Sequence, residues 1–268
     1  LVTFEAGITG TLSLDTGTAG SAGADGTGTA GAAGTASTAT VKFRPTANAT
    51  IGGATTVAAD GEGIIIIDPD AAYSTTFTGA IGTSETRLGT LTVGGTDRYG
   101  SGVFTGEVYA DTITIGGTGA TAVATTGDFN NNVAFTTLNI TAGTDDDSDD
   151  DEHATATVSG NLTGTTIALI DAADDGTSTL NLDSLTAAQT ISAAITASED
   201  GLGNVTVSNT GGTVTFSETI GSHSTNLSVG AVALAASTTT VFEKAVDAAT
   251  LSASGAMTIK APVTLSST

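Results

Sequence analysis

Hydrophobic positions along this chain recur in short runs in which every second residue is aliphatic and the residue between is polar or small. Leu12-Ser13-Leu14, Leu91-Thr92-Val93, Ile113-Thr114-Ile115, Leu138-Asn139-Ile140, Leu227-Ser228-Val229 and Leu251-Ser252-Ala253 are the clearest. A period of two is that of a strand with one buried and one wet face. A second pattern runs alongside it. Six of the eight phenylalanines open a five-residue phrase that closes on a β-branched aliphatic: Phe4/Ile8, Phe77/Ile81, Phe104/Val108, Phe129/Val133, Phe216/Ile220 and Phe242/Val246. Phe77 to Phe104 spans 27 residues, Phe104 to Phe129 spans 25, and Phe216 to Phe242 spans 26. Periods between about 20 and 50 residues mark solenoids, propellers or arrays, because one supersecondary unit cannot bury its apolar face without a neighbour.

The longer gaps fit the same ruler. Phe129 to Phe216 is 87 residues, three repeats with nine to spare, and holds an acidic block; Phe4 to Phe77 is 73, three repeats less five, and holds a Gly/Ala/Thr tract. About ten units of about 26 residues therefore fill the chain. The expected fold is all-β, a parallel β-solenoid with ~26-residue repeats, whose coils, stacked at about 4.8 Å, make a rod of about 50 Å. Tandem β-sandwich modules of two or three repeats each are the alternative. Residues 1–268 read as one continuous repeat domain, with a low-complexity tract at 15–40 and an acidic loop insertion at 141–153.

Local signals refine this picture. Leu1-Val2-Thr3-Phe4 and residues 8–14 read as a strand pair, and residues 15–40 carry too little apolar bulk to hold a core alone. Ile64-Ile65-Ile66-Ile67 predicts a strand buried on both faces, ended by Pro69. The best helical candidate is the Ala-rich, Gly-free stretch 183–197, although Ile191 and Ile195 are equally well placed for a strand. Neither end carries a polar cap, so the sequence predicts a piece of a longer array or ends covered by partners; the start at Leu1, without Met or a signal peptide, predicts a processed or partial product.

Composition narrows the function classes. The 39% hydrophobic content comes mainly from Ala, Val, Ile and Leu, with three Tyr and no Trp, which predicts a thin, stacked core. Gly 36 and Pro 3 with abundant Thr describe frequent turns between short strands. Against 28 acidic residues stand 6 basic ones, a net charge of −22, which argues against nucleic acid and against anionic membrane surfaces as partners. Cysteine is absent, so disulfides are excluded, and no apolar run is long enough for a transmembrane helix.

Candidate chemistry is sparse. Asp145, Asp146, Asp147, Asp149, Asp150, Asp151 and Glu152 place seven carboxylates in eight positions, and Asp171, Asp174 and Asp175 form a second cluster before Gly176. Hard oxygen ligands at this density suit Ca²⁺, the one cofactor expected; the competing reading is a solvated turn whose charges repel one another. Gly26-Thr27-Gly28-Thr29-Ala30-Gly31 has dinucleotide-binding spacing without the strand and helix that motif requires. Gly116-Gly117-Thr118-Gly119 matches the opening of a calcium-binding nonapeptide, but Thr121 stands where Asp is needed. His153 and His223 lie in polar, turn-like stretches, and no nucleophile elbow surrounds any Ser. Paired carboxylates on a solenoid face can cleave polysaccharide, yet Lys42, Arg44, Arg87, Arg98, Lys244 and Lys260 are the whole basic inventory available to grip a sugar chain. No catalytic residue is assigned and an enzyme is not expected. Asn48, Asn139, Asn161, Asn204 and Asn226 each open Asn-X-Ser/Thr, as chance allows in a Thr-rich chain.

Phe-Thr-Gly-Ala-Ile, Phe-Thr-Gly-Glu-Val and Phe-Glu-Lys-Ala-Val, with Leu-Thr-Val and Ile-Thr-Ile strands, resemble the β-strand-repeat regions of large bacterial surface proteins. These include S-layer-like proteins, matrix or filament subunits and autotransporter-type adhesin passengers. The resemblance implies an extracellular or cell-surface location and a structural subunit of a filament, sheath or surface layer that binds copies of itself. Strand addition at the uncapped edges, through residues 1–14 and 256–265, would make the joints. An adhesin stalk or binding module that presents residues 141–153 to a glycan or cell-surface receptor is the second reading, and a polysaccharide-acting β-helix enzyme the third.

Overall fold

A computed structural model of the chain describes residues 1–15, 38–69, 72–95, 100–116, 124–143, 153–171, 176–225, 227–235 and 238–266. The fold is a parallel β-solenoid. One sheet stacks eleven strands, in spatial order Val2–Phe4, Thr40–Phe43, Glu62–Ile67, Leu88–Val93, Val108–Ile115, Val133–Thr141, Leu162–Ile170, Gln189–Ala197, Thr213–Phe216, Thr239–Phe242 and Ala256–Ile259. The second stacks ten, Ala49–Ile51, Thr75–Phe77, Gly100–Phe104, Thr125–Phe129, Ala154–Val158, Ser178–Leu182, Leu202–Val207, Val229–Leu234, Val246–Ala253 and Val263–Leu265. Leu12–Leu14 and Thr55–Val57 form a small third sheet. Every strand-to-strand ladder is parallel and joins successive coils, with partners such as Phe104↔Phe129, Phe129↔Val158 and Val158↔Leu182. Tandem antiparallel sandwiches are thereby excluded.

The alternating pattern explains the core. Along the long strands of the first sheet the alternation slips once, between Ala110 and Ile113 and again between Phe135 and Leu138, so each strand offers a leading and a trailing inward run. With the short strands of the second sheet these make three inward columns. The leading column runs Ile81, Val108, Val133, Leu162, Ile191, Phe216, Phe242, Ile259. The trailing column runs Phe4, Phe43, Ile67, Val93, Ile115, Ile140, Leu169, Ala197. The short-strand column runs Ile51, Phe77, Phe104, Phe129, Val158, Leu182, Val207, Leu234. Residues of all three belong to one continuous apolar cluster.

The Phe phrase therefore does not occupy one position of the repeat. Phe77, Phe104 and Phe129 end short strands and turn the chain onto the leading column; Phe216 and Phe242 lie in the leading column and turn it onto the trailing one, where Ile220 bridges Ile195. Phe4 ends a trailing run and delivers Ile8 beside Ile51 of the second sheet. This switch of column accounts for the long gaps in the Phe spacing. Within each column the rings stack, with centroids 5.6 Å apart for Phe4–Phe43 and Phe77–Phe104, 4.8 Å for Phe104–Phe129 and 5.2 Å for Phe216–Phe242. Phe43 meets Phe77 edge-on at 5.4 Å and ties the two sheets together.

Three expectations change. Ile65 and Ile67 are fully buried, but Ile64 and Ile66 face outward and are half-buried, because among the described residues no layer covers the second face of this sheet. The stretch 183–197 is a turn followed by the strand Gln189–Ala197, whose alternate residues Gln189, Ile191, Ala193, Ile195 and Ala197 are buried; register with Leu162–Ile170 overrides alanine's helix propensity. Val2–Phe4 and Leu12–Leu14 do not pair with each other but with Thr40–Phe43 and Thr55–Val57, one coil away.

Candidate functional site

Most sequence-predicted ligands lie outside the described residues: Asp145, Asp146, Asp147, Asp149, Asp150, Asp151 and Glu152, and likewise Asp174 and Asp175. So do the glycine motif at 26–31 and Gly117 through Thr121 of the nonapeptide-like run. Asp171 is described and is buried. Its Oδ1 accepts from Ser178 N at 2.6 Å and its Oδ2 from Gly203 N at 2.8 Å, so the carboxylate brackets the start of its own next strand and the coil beyond. Among the described residues no three His, Asp or Glu side chains converge as a metal site. His153 Nδ1 accepts from Thr177 N at 3.2 Å, and His223 opens a single 3-10 turn.

Corners are where polar chemistry concentrates. After Phe77 and Phe104 the turn onto the leading column takes three residues, and its central Gly79 and Gly106 pack against the backbone of the corner one coil before, where a Cβ would collide. The neighbouring Thr105 hydroxyl donates to Phe77 O at 3.0 Å. Further along the stack the same corner lengthens, running from Asp183 to Ala188 before Gln189 enters the leading column. Its interior is a polar network. Gln189 Nε2 donates to Val158 O (2.7 Å) and Gly160 O (3.0 Å), its Oε1 accepts from Asn209 Nδ2 (2.7 Å), and Asn209 Oδ1 accepts from Gly211 N and Gly212 N. Ser184, Gln189 and Asn209 are all buried, and each buried polar atom in this set that bonds does so to protein, as burial demands.

The longer corner overhangs the shorter ones and leaves a cleft of about 370 Å³ between residues 130–132, 159–161 and 184–188. Its floor is a ladder of amides: Asn132 Oδ1 accepts from Asn161 N at 3.0 Å, and Asn161 Oδ1 from Thr190 N at 2.8 Å. No lining residue is charged. Two carboxylates outside the lining are bonded to lining residues, Glu107 by Asn132 Nδ2 (3.1 Å) and Asp183 by Ser159 Oγ (2.8 Å). Nothing in the sequence marks this cleft, because it is formed where one corner is three residues longer than those of the two coils before it.

A second corner motif also escaped the sequence reading. Asp60-Gly61-Glu62-Gly63 and Asp200-Gly201-Leu202-Gly203 repeat one turn, with all four glycines at φ between 75° and 78°. In each, the Asp Oδ1 accepts an N–H of the next coil, from Arg87 at 2.8 Å and from Ser228 at 3.0 Å. The Ser228 hydroxyl and N–H hold the Asp200 carboxyl below the ordinary carboxylate range. Asp128, facing outward from a short strand, is pushed the other way by burial and by the charge of Asp183. Neither carboxyl lines the cleft.

Comparison with family models, with curated proteins and with solved structures finds no match.

Proposed function

We propose that the chain is a structural subunit of an extracellular bacterial assembly, a rod that extends by adding further rungs from copies of itself. The observation that carries this reading is the uniform stacking of the coils: every strand ladder is parallel and joins one coil to the next over a continuous apolar core, so a further coil of the same pattern, in this chain or in a second copy, meets the same backbone chemistry. Net charge −22 repels copies side by side and favours end-to-end contact.

Sedimentation velocity and negative-stain electron microscopy across a concentration series, in calcium and in EDTA, test this. Rods that lengthen with concentration, and that shorten when Met257→Pro removes an N–H pointing away from Thr239–Phe242, are the expected result. Single rods of constant length at every concentration would transfer the reading to a stalk that carries a binding surface.

A further inference from the structure

We infer that the corner cleft is a binding site for a neutral saccharide unit. Its volume, about 370 Å³, is within the range of small-ligand sites and holds one or two sugar rings, not a macromolecular segment. Its chemistry selects the ligand class. Among the described residues, the side-chain amide of Asn130, the Nδ2 groups of Asn131 and Asn161 and the hydroxyl of Thr186 have no intramolecular hydrogen bond, whereas the acceptor oxygens of Asn131 and Asn161 are already engaged by Asn132 N and Thr190 N. The cleft therefore offers unengaged N–H and O–H donors, of which those of Asn131 and Asn161 are fixed in place by the amides' other ends. A ring bearing several hydroxyls supplies the matching acceptors.

Other ligand classes fit worse. A metal ion needs carboxylates, and the lining has none. An anion must approach a chain of net charge −22 without a single cation in the cleft. A purely apolar ligand would strip water from four donors and return no bond. Leu185 completes the fit: at 74% exposure it is, after Leu1, the most exposed large hydrophobic side chain among the described residues, and it stands on the rim, where an aliphatic surface covers the C–H face of a sugar.

The site is also built rather than incidental. The overhang that forms it is held from beneath by Ser184, Gln189 and Asn209, buried and mutually bonded, with Ser184 Oγ accepting Ala187 N at 3.2 Å. Such a network costs desolvation that an apolar corner would avoid, and what it delivers is a fixed position for residues 184–188.

The test is an amide-detected NMR titration of the full chain with N-acetylglucosamine, galactose, mannose and glucose, and with N-acetylneuraminic acid as the charged counterpart. The expected result is saturable shifts confined to backbone and Asn side-chain amides of residues 130–132, 159–161 and 184–188 with at least one neutral sugar. Leu185→Asp, a change on an exposed side chain, should weaken that binding at least tenfold while leaving the remaining spectrum in place. No saturable shift with any neutral sugar, a stronger response to N-acetylneuraminic acid, or binding indifferent to Leu185→Asp overturns the inference. None of these outcomes bears on whether the rods lengthen, so this site and the structural role stand or fall separately.

Discussion

Two coils of this solenoid turn the same corner by opposite means. Around Phe104 the turn is three residues long and dry: the ring stacks on Phe77 and Phe129, Gly102 leaves room for it, and Gly106 lets one backbone rest directly on the next. Around Gln189 the turn is twice as long and is filled by the Gln189 and Asn209 amides, bonded to each other and to backbone groups, with the Ser184 hydroxyl accepting from Ala187 N. The dry corner is closed by contact and has no relief; the wet one is closed by hydrogen bonds and leaves a cleft. A repeat protein can thus vary its surface without disturbing its columns, provided each corner satisfies its own backbone.

The sharpest way to break the comparison is at Gly106. Overpacking costs about 1–3 kcal/mol where side chains can yield, but the atoms that a Cβ would meet here are the Gly79 carbonyl and Ala80 N, which cannot. Gly106→Val should exceed that range, read as faster hydrogen exchange of the coil containing residues 100–115 and a lower denaturation midpoint. On the wet side Asn209→Ala leaves Gly212 N without its partner and takes one bond each from Gln189 Oε1, Ala187 O and Gly211 N, for a loss of about 1–3 kcal/mol. Exchange at residues 184–188 should rise with it; if these amides stay protected, the network is not what holds the overhang.

The smallest effect concerns charge. Asp128 has a folded pKa raised above its unfolded value, so its ionised form costs stability at neutral pH, and that cost disappears as pH falls through the raised pKa to below the ordinary carboxylate range. Asp128→Asn should therefore raise the melting midpoint slightly at pH 7 and leave it unchanged in acid. Asp200 runs in the opposite sense: its stabilising contribution is present above the ordinary carboxylate range and is lost as pH falls through its depressed pKa.

Alternation and period carried the sequence reading a long way. Leu91, Ile113, Ile115, Leu138 and Ile140 were legible as inward residues, and they are buried, because a strand with one wet face writes its register into every second residue. The Phe spacing gave the repeat length but concealed the column switch between Phe129 and Phe216, since the phrase is a corner signal and carries no label for which corner. Ile64 and Ile66 misled because β-branched residues fit a strand's outer face as readily as its inner one. The cleft was illegible for another reason. Asn130, Asn161 and Leu185 are far apart in sequence, and only the stacking of corners brings them to one place.

One feature of the corners reaches beyond stability. Phe-x-x-x-Ile or Val turns three different corners of the coil, and Asp-Gly-x-Gly turns two. A genetic insertion or deletion of part of a coil therefore does not have to restore the old phase to be tolerated; it need only end on a corner phrase, after which the following strands settle into the next column along. Such a chain can grow, shrink and recombine in fractions of a turn, and its surfaces can rotate around the axis while its interior stays the same.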